Sequence, residues 1–120
     1  MDDQIAFLGF IPDNLLPLYY VAADIFIMPT AFIEGFGLAT VEALSTGLPV
    51  LGTPVGGTPE ILKPIDPNLL FRNATVQSMA DKIEQVLKNI DSVFSLKSKC
   101  RGNAVTNYNW DLAVNKIEEE

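Results

Sequence analysis

A chain of 120 residues, 48% of them hydrophobic and with a mean hydropathy of +0.24, can enclose one modest core and no more than one domain. Its net charge of -7, from 15 acidic and 8 basic residues, excludes a broad electrostatic hold on nucleic acid or an anionic membrane, so any phosphate must be held locally. One cysteine, Cys100, and no histidine exclude an internal disulfide and the usual zinc ligand sets, and a reducing, cytoplasmic setting without a structural metal is expected.

Apolar runs of strand length fall at 5–8, 25–28, 50–51 and 69–71, each followed by a loop and a longer helical pattern. They read as continuously apolar rather than alternating, which is the pattern of parallel strands covered by helices on both faces. The fold class is therefore α/β, a partial Rossmann-like parallel sheet with flanking helices. Four strands make only part of a doubly wound sheet, and the chain is expected to start inside a domain. No apolar run approaches the roughly 18 residues of a membrane span, and the start, Met1 to Gln4, lacks the pattern of a signal peptide.

In chain order, the first helix is predicted over 13–23, with Asp13 or Asn14 as N-cap and Leu15, Leu18, Tyr19 and Ala22 as its apolar face. Pro17 is tolerable there only if it opens a turn or kinks the helix. A second helix over 38–46 follows the loop Glu34, Gly35, Phe36, Gly37 and is stopped by Gly47, a residue suited to the left-handed cap. A single turn is expected after Gly56 and Gly57, ending before Pro64. An amphipathic helix covers 76–90, where Met79, Ile83, Val86, Leu87 and Ile90 fall at helical spacing. Polar helices at 93–101 and 111–119 complete the chain.

In open parallel sheets, ligands gather beyond the carboxyl ends of the strands. The loop from Pro29 to Gly37 occupies such a position, and glycines on either side of Phe36 let the backbone approach a ligand closely. The amides of Gly37, Leu38 and Ala39, with the positive end of the helix behind them, suit a phosphate or diphosphate. Two carboxylates frame that site, Glu34 before the helix and Glu42 one turn into it, with seven residues between them. Glu42 is the only charged residue of an otherwise apolar helix, so it must reach solvent, pair with a donor or bind a ligand. A ribose diol offers it two donors.

The stretches Phe7 Leu8 Gly9, Leu18 Tyr19, Ala23 Asp24, Pro29 Thr30, Glu34 Gly35 Phe36 Gly37 Leu38, Glu42 Ala43, Gly47 Leu48 Pro49 Val50 and Gly56 Gly57 Thr58 Pro59 Glu60 together resemble the glycogen-synthase-like, group-one glycosyltransferases of family 4. The resemblance runs over 7–90, and Asn109 Trp110 Asp111 is similar to the start of that family's terminal helix. It implies the GT-B arrangement, two Rossmann-like domains facing a cleft, of which this chain is the C-terminal, donor-holding portion. In that pattern Glu34 matches the glutamate facing the donor sugar, the candidate catalytic residue. Gly35, Phe36, Gly37 and Leu38 match backbone positions at the sugar and diphosphate, Glu42 matches the ribose ligand, and Phe10 and Ile11 match positions near the base.

The resemblance further implies transfer of a hexosyl group from a nucleotide diphosphate sugar with retention, without an obvious protein nucleophile and without a metal or other cofactor. The family's basic pair on the diphosphate, an Arg and a Lys, and its acceptor domain match nothing in this chain, so weak nucleotide binding and no transfer are expected of it alone. The expected partners are the nucleotide sugar and an N-terminal GT-B domain; nucleic acid is not one, and a membrane could be reached only through other parts of the protein. A different class stays open, a non-catalytic nucleotide-binding or regulatory module of a split or degenerate GT-B protein. An epimerase or a phosphorylase is disfavoured by the glutamate spacing. Gly56, Gly57 and Glu60 read equally as a turn with a helix cap or as neighbours of the ligand, while Lys63 and Arg72 read as solvated cations and Cys100 as a helix residue without a chemical role.

Overall fold

The computed structural model describes residues 4–30 and 38–108. The loop from Glu34 to Gly37, Trp110 and the predicted helix 111–119 lie outside the described residues. Two strands, β1 (Phe26–Met28) and β2 (Val50–Gly52), run in parallel with Phe26 opposite Val50, Ile27 opposite Leu51 and Met28 opposite Gly52. Parallel neighbours cannot be joined by a tight turn, and the crossover between them carries helix α2 (Leu38–Ser45). The class is α/β, as expected.

The predicted strand at 69–71 shrinks to one parallel bridge between Gly52 and Leu70, where the Phe71 amide donates to the Gly52 carbonyl at 2.8 Å. Its start is taken by a 3-10 turn, Pro67–Leu69, which Asp66 caps by accepting from the Asn68 amide at 2.9 Å. The predicted strand at 5–8 does not form. Among the described residues it has no neighbour to pair its amides and carbonyls, and its side chains stand out from the body, Phe7 at 97% exposure.

Helix α1 (Leu16–Ala22) starts later than predicted, with Leu15 at the N-cap and no side-chain cap from Asp13 or Asn14. Pro17 falls in its first turn, where the absent N–H removes no helical bond. The helix is also rotated from the expected face. Leu16 and Tyr20 turn inward, while Leu15, Leu18, Tyr19 and Ala22 are exposed. Both sets satisfy the i, i+3, i+4 spacing, so periodicity alone could not choose between them.

α2 ends as the glycine predicted. Gly47 adopts a φ of +87°, the Gly47 amide donates to Leu44 at 2.9 Å and the Leu48 amide donates back to Ala43 at 3.2 Å. That pair of bonds closes the helix in a Schellman turn and satisfies carbonyls the helix leaves unpaired. The turn brings the chain directly into β2, all three of whose residues are buried.

The core forms around β2. Ala43 and Leu44 of α2, Ile61 and Leu62 of α3 (Thr58–Leu62), and Ile65, Leu69 and Phe71 all pack there. Gly52 permits the closest approach, since a Cβ at that position would lie 2.6 Å from Thr58 Cγ2. Helix α4 (Val76–Lys88) is capped by Thr75, whose hydroxyl accepts from the Ser78 amide at 3.2 Å. It lays Met79, Ile83 and Val86 on the core but leaves Leu87 exposed, contrary to the predicted face. It ends at Lys88, and Ile90 opens a separate short helix, α5 (Ile90–Phe94). The predicted helix 93–101 is thus divided between α5 and α6 (Lys97–Tyr108), and α6 packs across α2 through the small buried residues Cys100 and Ala104.

Candidate functional site

The carboxyl ends of β1 and β2 are tied together. The Thr53 amide donates to Met28 at 3.3 Å and the buried Thr53 hydroxyl donates to the Thr30 carbonyl at 2.6 Å, so the chain leaving β1 is anchored just where the glycine-containing loop begins. Beyond that loop, α2 starts at Leu38 with no acidic residue in its first turn. Its leading amides have no in-helix partner, and the helix dipole adds a partial positive charge there.

An open cleft of about 610 Å³ lies between α1 and α2, lined by Asp13, Leu16, Pro17, Tyr20, Leu38, Glu42, Ser45 and Thr46. Leu38, 64% exposed, marks the end at the helix start, and Glu42 projects one turn further along. Four residues of helix advance about 6 Å, so an acceptor carboxylate stands that far from the amides that suit an anion. The Tyr20 hydroxyl donates to Glu42 Oε2 at 3.3 Å. Burial first, then the Glu42 charge and this hydrogen bond, push the Tyr20 phenol above its ordinary pKa, keeping it protonated and able to donate at neutral pH. The Ser45 and Thr46 hydroxyls donate to the carbonyls of Glu42 and Ala43, each at 2.7 Å, and keep lone pairs that can accept from a ligand.

Of the sequence-predicted site residues, Leu38 and Glu42 are brought together here. Glu34, Gly35, Phe36 and Gly37 lie outside the described residues. Phe10, 90% exposed, and Ile11, half-buried, belong to the irregular segment before α1 and do not line the cleft. Gly57 caps α3 and Gly56 makes the turn before it with a φ of +61°. Lys63 and Arg72 are exposed. Asp13, Tyr20, Ser45 and Thr46 were not singled out as ligand-facing by sequence. The available signal was the i, i+4 pair of Leu16 and Tyr20, which puts an aromatic ring with a polar tip on the side of α1 that meets α2.

A wider trough of about 740 Å³ runs beside α4, lined by residues including Arg72, Asn73, Ser78 and Lys82. It holds none of the residues the sequence singled out for a ligand, and its walls are exposed or half-exposed side chains. The cleft at α2 is the better candidate, because there a half-buried carboxylate and a helix start coincide.

Residues 1–106 match the family model described as glycosyl transferases group 1. A GDP-mannose-dependent alpha-(1-6)-phosphatidylinositol monomannoside mannosyltransferase of Mycobacterium tuberculosis is 26% identical over 98% of the chain and 32% of its own length. Among solved structures, sucrose-phosphate synthase from Thermosynechococcus elongatus superposes with a TM-score of 0.86 at 27% identity, over 98% of this chain and 29% of that one. The C-terminal domain of a group 1 glycosyl transferase from Francisella tularensis superposes with a TM-score of 0.77 at 30% identity, over 91% and 56% of the two chains. The chain thus spans about a third of the length of this curated relative, and less of others that it matches.

Proposed function

The chain belongs to the group 1 glycosyl transferases, and from that premise we propose that it holds the nucleotide sugar donor for a retaining hexosyl transfer. The observation that carries the proposal is Glu42 on the cleft wall, one helical turn beyond the start of α2. A diphosphate at the leading amides would place a ribose diol within reach of that carboxylate. Glu34 would face the sugar, with Gly35, Phe36, Gly37 and Leu38 supplying backbone at the sugar and diphosphate. During transfer the bond from the sugar's anomeric carbon to the diphosphate breaks, its electron pair going to the diphosphate, while a bond to the acceptor oxygen forms and the acceptor proton passes to an oxygen of the departing diphosphate. No metal and no other cofactor is part of this reading. Stabilising the departing diphosphate is electrostatic work.

Support for a hexosyl donor comes from the relatives, one named for mannosyl transfer from GDP-mannose and one for sucrose phosphate synthesis. Among the described residues, the cleft is lined by two carboxylates and no cation. That observation favours a second reading, a non-catalytic nucleotide-binding or regulatory module of a split or degenerate GT-B protein. On either reading this chain alone is inactive. We place it in the cytoplasm; among the described residues no helix is long and apolar enough to cross a membrane.

Calorimetric titration of the chain with UDP, GDP and ADP tests the site. One nucleotide is expected to bind with a dissociation constant of about 1 mM, equivalent to roughly 4 kcal/mol, and Glu42→Ala should abolish the heat. Binding that survives in Glu42→Ala, or no binding of any of the three at 10-fold that concentration, about 10 mM, would defeat the proposal.

A further inference from the structure

Glu42 has two carboxylate oxygens, and the surrounding side chains treat them differently. Oε2 accepts from the Tyr20 hydroxyl at 3.3 Å, whereas Oε1 has no partner among the described residues. The tyrosine itself is firmly held. Its side chain is 8% exposed, and its ring meets the edge of Phe26 on β1 at 5.7 Å between centroids and 72° between planes. A phenol fixed between a strand and a helix thus points its only donor at the one carboxylate of α2.

We propose that Tyr20 is a positioning residue for Glu42, holding Oε2 so that Oε1 faces the cleft to accept from a vicinal diol of the ligand. The proposal deepens the nucleotide reading and rests on it. Two further features of the cleft fit a neutral polyol at this point. Asp13 and Glu42 make this part of the wall acidic, so a second anion is disfavoured here and belongs at the start of α2. Ser45 and Thr46 spend their protons on backbone carbonyls, leaving oxygens that accept.

Without the tyrosine, Glu42 would be free to rotate among solvent-facing rotamers, and a ligand hydroxyl would have to order it on binding. The effect should therefore fall on the diol and not on the rest of the nucleotide. The test compares whichever of UDP, GDP or ADP binds with its 2′,3′-dideoxy counterpart, by protein-observed NMR titration of wild type, Tyr20→Phe, Glu42→Gln and the double variant. Wild type should prefer the ribonucleotide by about tenfold, and Tyr20→Phe should cut that preference to about threefold or less, on the scale of one typical net hydrogen bond. In the Glu42→Gln background the tyrosine change should do nothing further, because two groups acting through one contact are not additive. Tyr20→Phe keeps the ring and its contact with Phe26, and the NMR spectrum reports its folding directly. Equal weakening of both nucleotides by Tyr20→Phe, or no change in either, would overturn the inference while Glu42 stays in its role. A preference that Glu42→Gln leaves intact, or no preference in wild type, would remove the nucleotide reading and this inference together.

Discussion

Cys100 shows how a single residue reports on its surroundings. It is fully buried where α6 crosses α2, and burial pushes its thiol up to about 11 despite smaller opposing effects from a backbone hydrogen bond and Lys99. The unfolded thiol titrates near 9, so folding favours the protonated form. That contribution is intact below pH 9 and is lost as pH climbs from 9 through 11, at about 1.4 kcal/mol per pH unit. Urea melts at pH 8, 9 and 10 should therefore show wild type losing stability relative to Cys100→Ala above pH 9; parallel curves would show that the thiol is not buried in solution. Glu42 and Tyr20 present the contrasting case, in which the phenol donates to one carboxylate oxygen and leaves the other as an acceptor.

At the scale of elements, Gly47 is the position where chemistry and geometry agree most closely. Its φ of +87° is costly for any residue with a Cβ, while a Cβ there would meet the Lys97 carbonyl oxygen at 3.7 Å, an ordinary van der Waals contact. Gly47→Ala should therefore cost about 1 kcal/mol through backbone strain alone, read as a lower urea midpoint with an unchanged slope. An unchanged midpoint would mean that the Schellman turn does not limit stability. This glycine, the apolar run into β2 and the amphipathic stretch of α4 were all legible in sequence, because each depends on a local rule. Strand pairing is not local. The runs 5–8 and 69–71 have strand composition, yet one finds no neighbour among the described residues and the other forms a single bridge, Leu70 opposite Gly52. The face of α1 and the break between α4 and α5 were likewise decided by what each helix packs against. At the site, the isolation of Glu42 on an apolar helix was visible in advance. Its partner was not, since Tyr20 is 22 residues away and meets it only when α1 lies against α2.

Across the whole molecule, the described residues carry an uneven surface. Leu15, Leu18, Tyr19 and Ala22 line an exposed apolar hollow of about 310 Å³, and Phe7 and Phe10 also lie open to solvent. Exposed apolar surface of this kind binds hydrophobic dyes and promotes association. Leu18→Gln should lower the fluorescence of bound anilinonaphthalene sulfonate while shifting stability by no more than about 0.5 kcal/mol; undiminished fluorescence would mean that the hollow is covered in solution. The packing of α6 on α2 has a consequence for the chain as it is made. On the order of fifty residues separate the two helices, and at ~5–20 residues per second the second emerges from the ribosome seconds after the first. For that interval the face of α2 that α6 covers stays open, so a nascent chain halted before Lys97 would be a natural client for chaperones, although α2 and both strands of the sheet had already been translated.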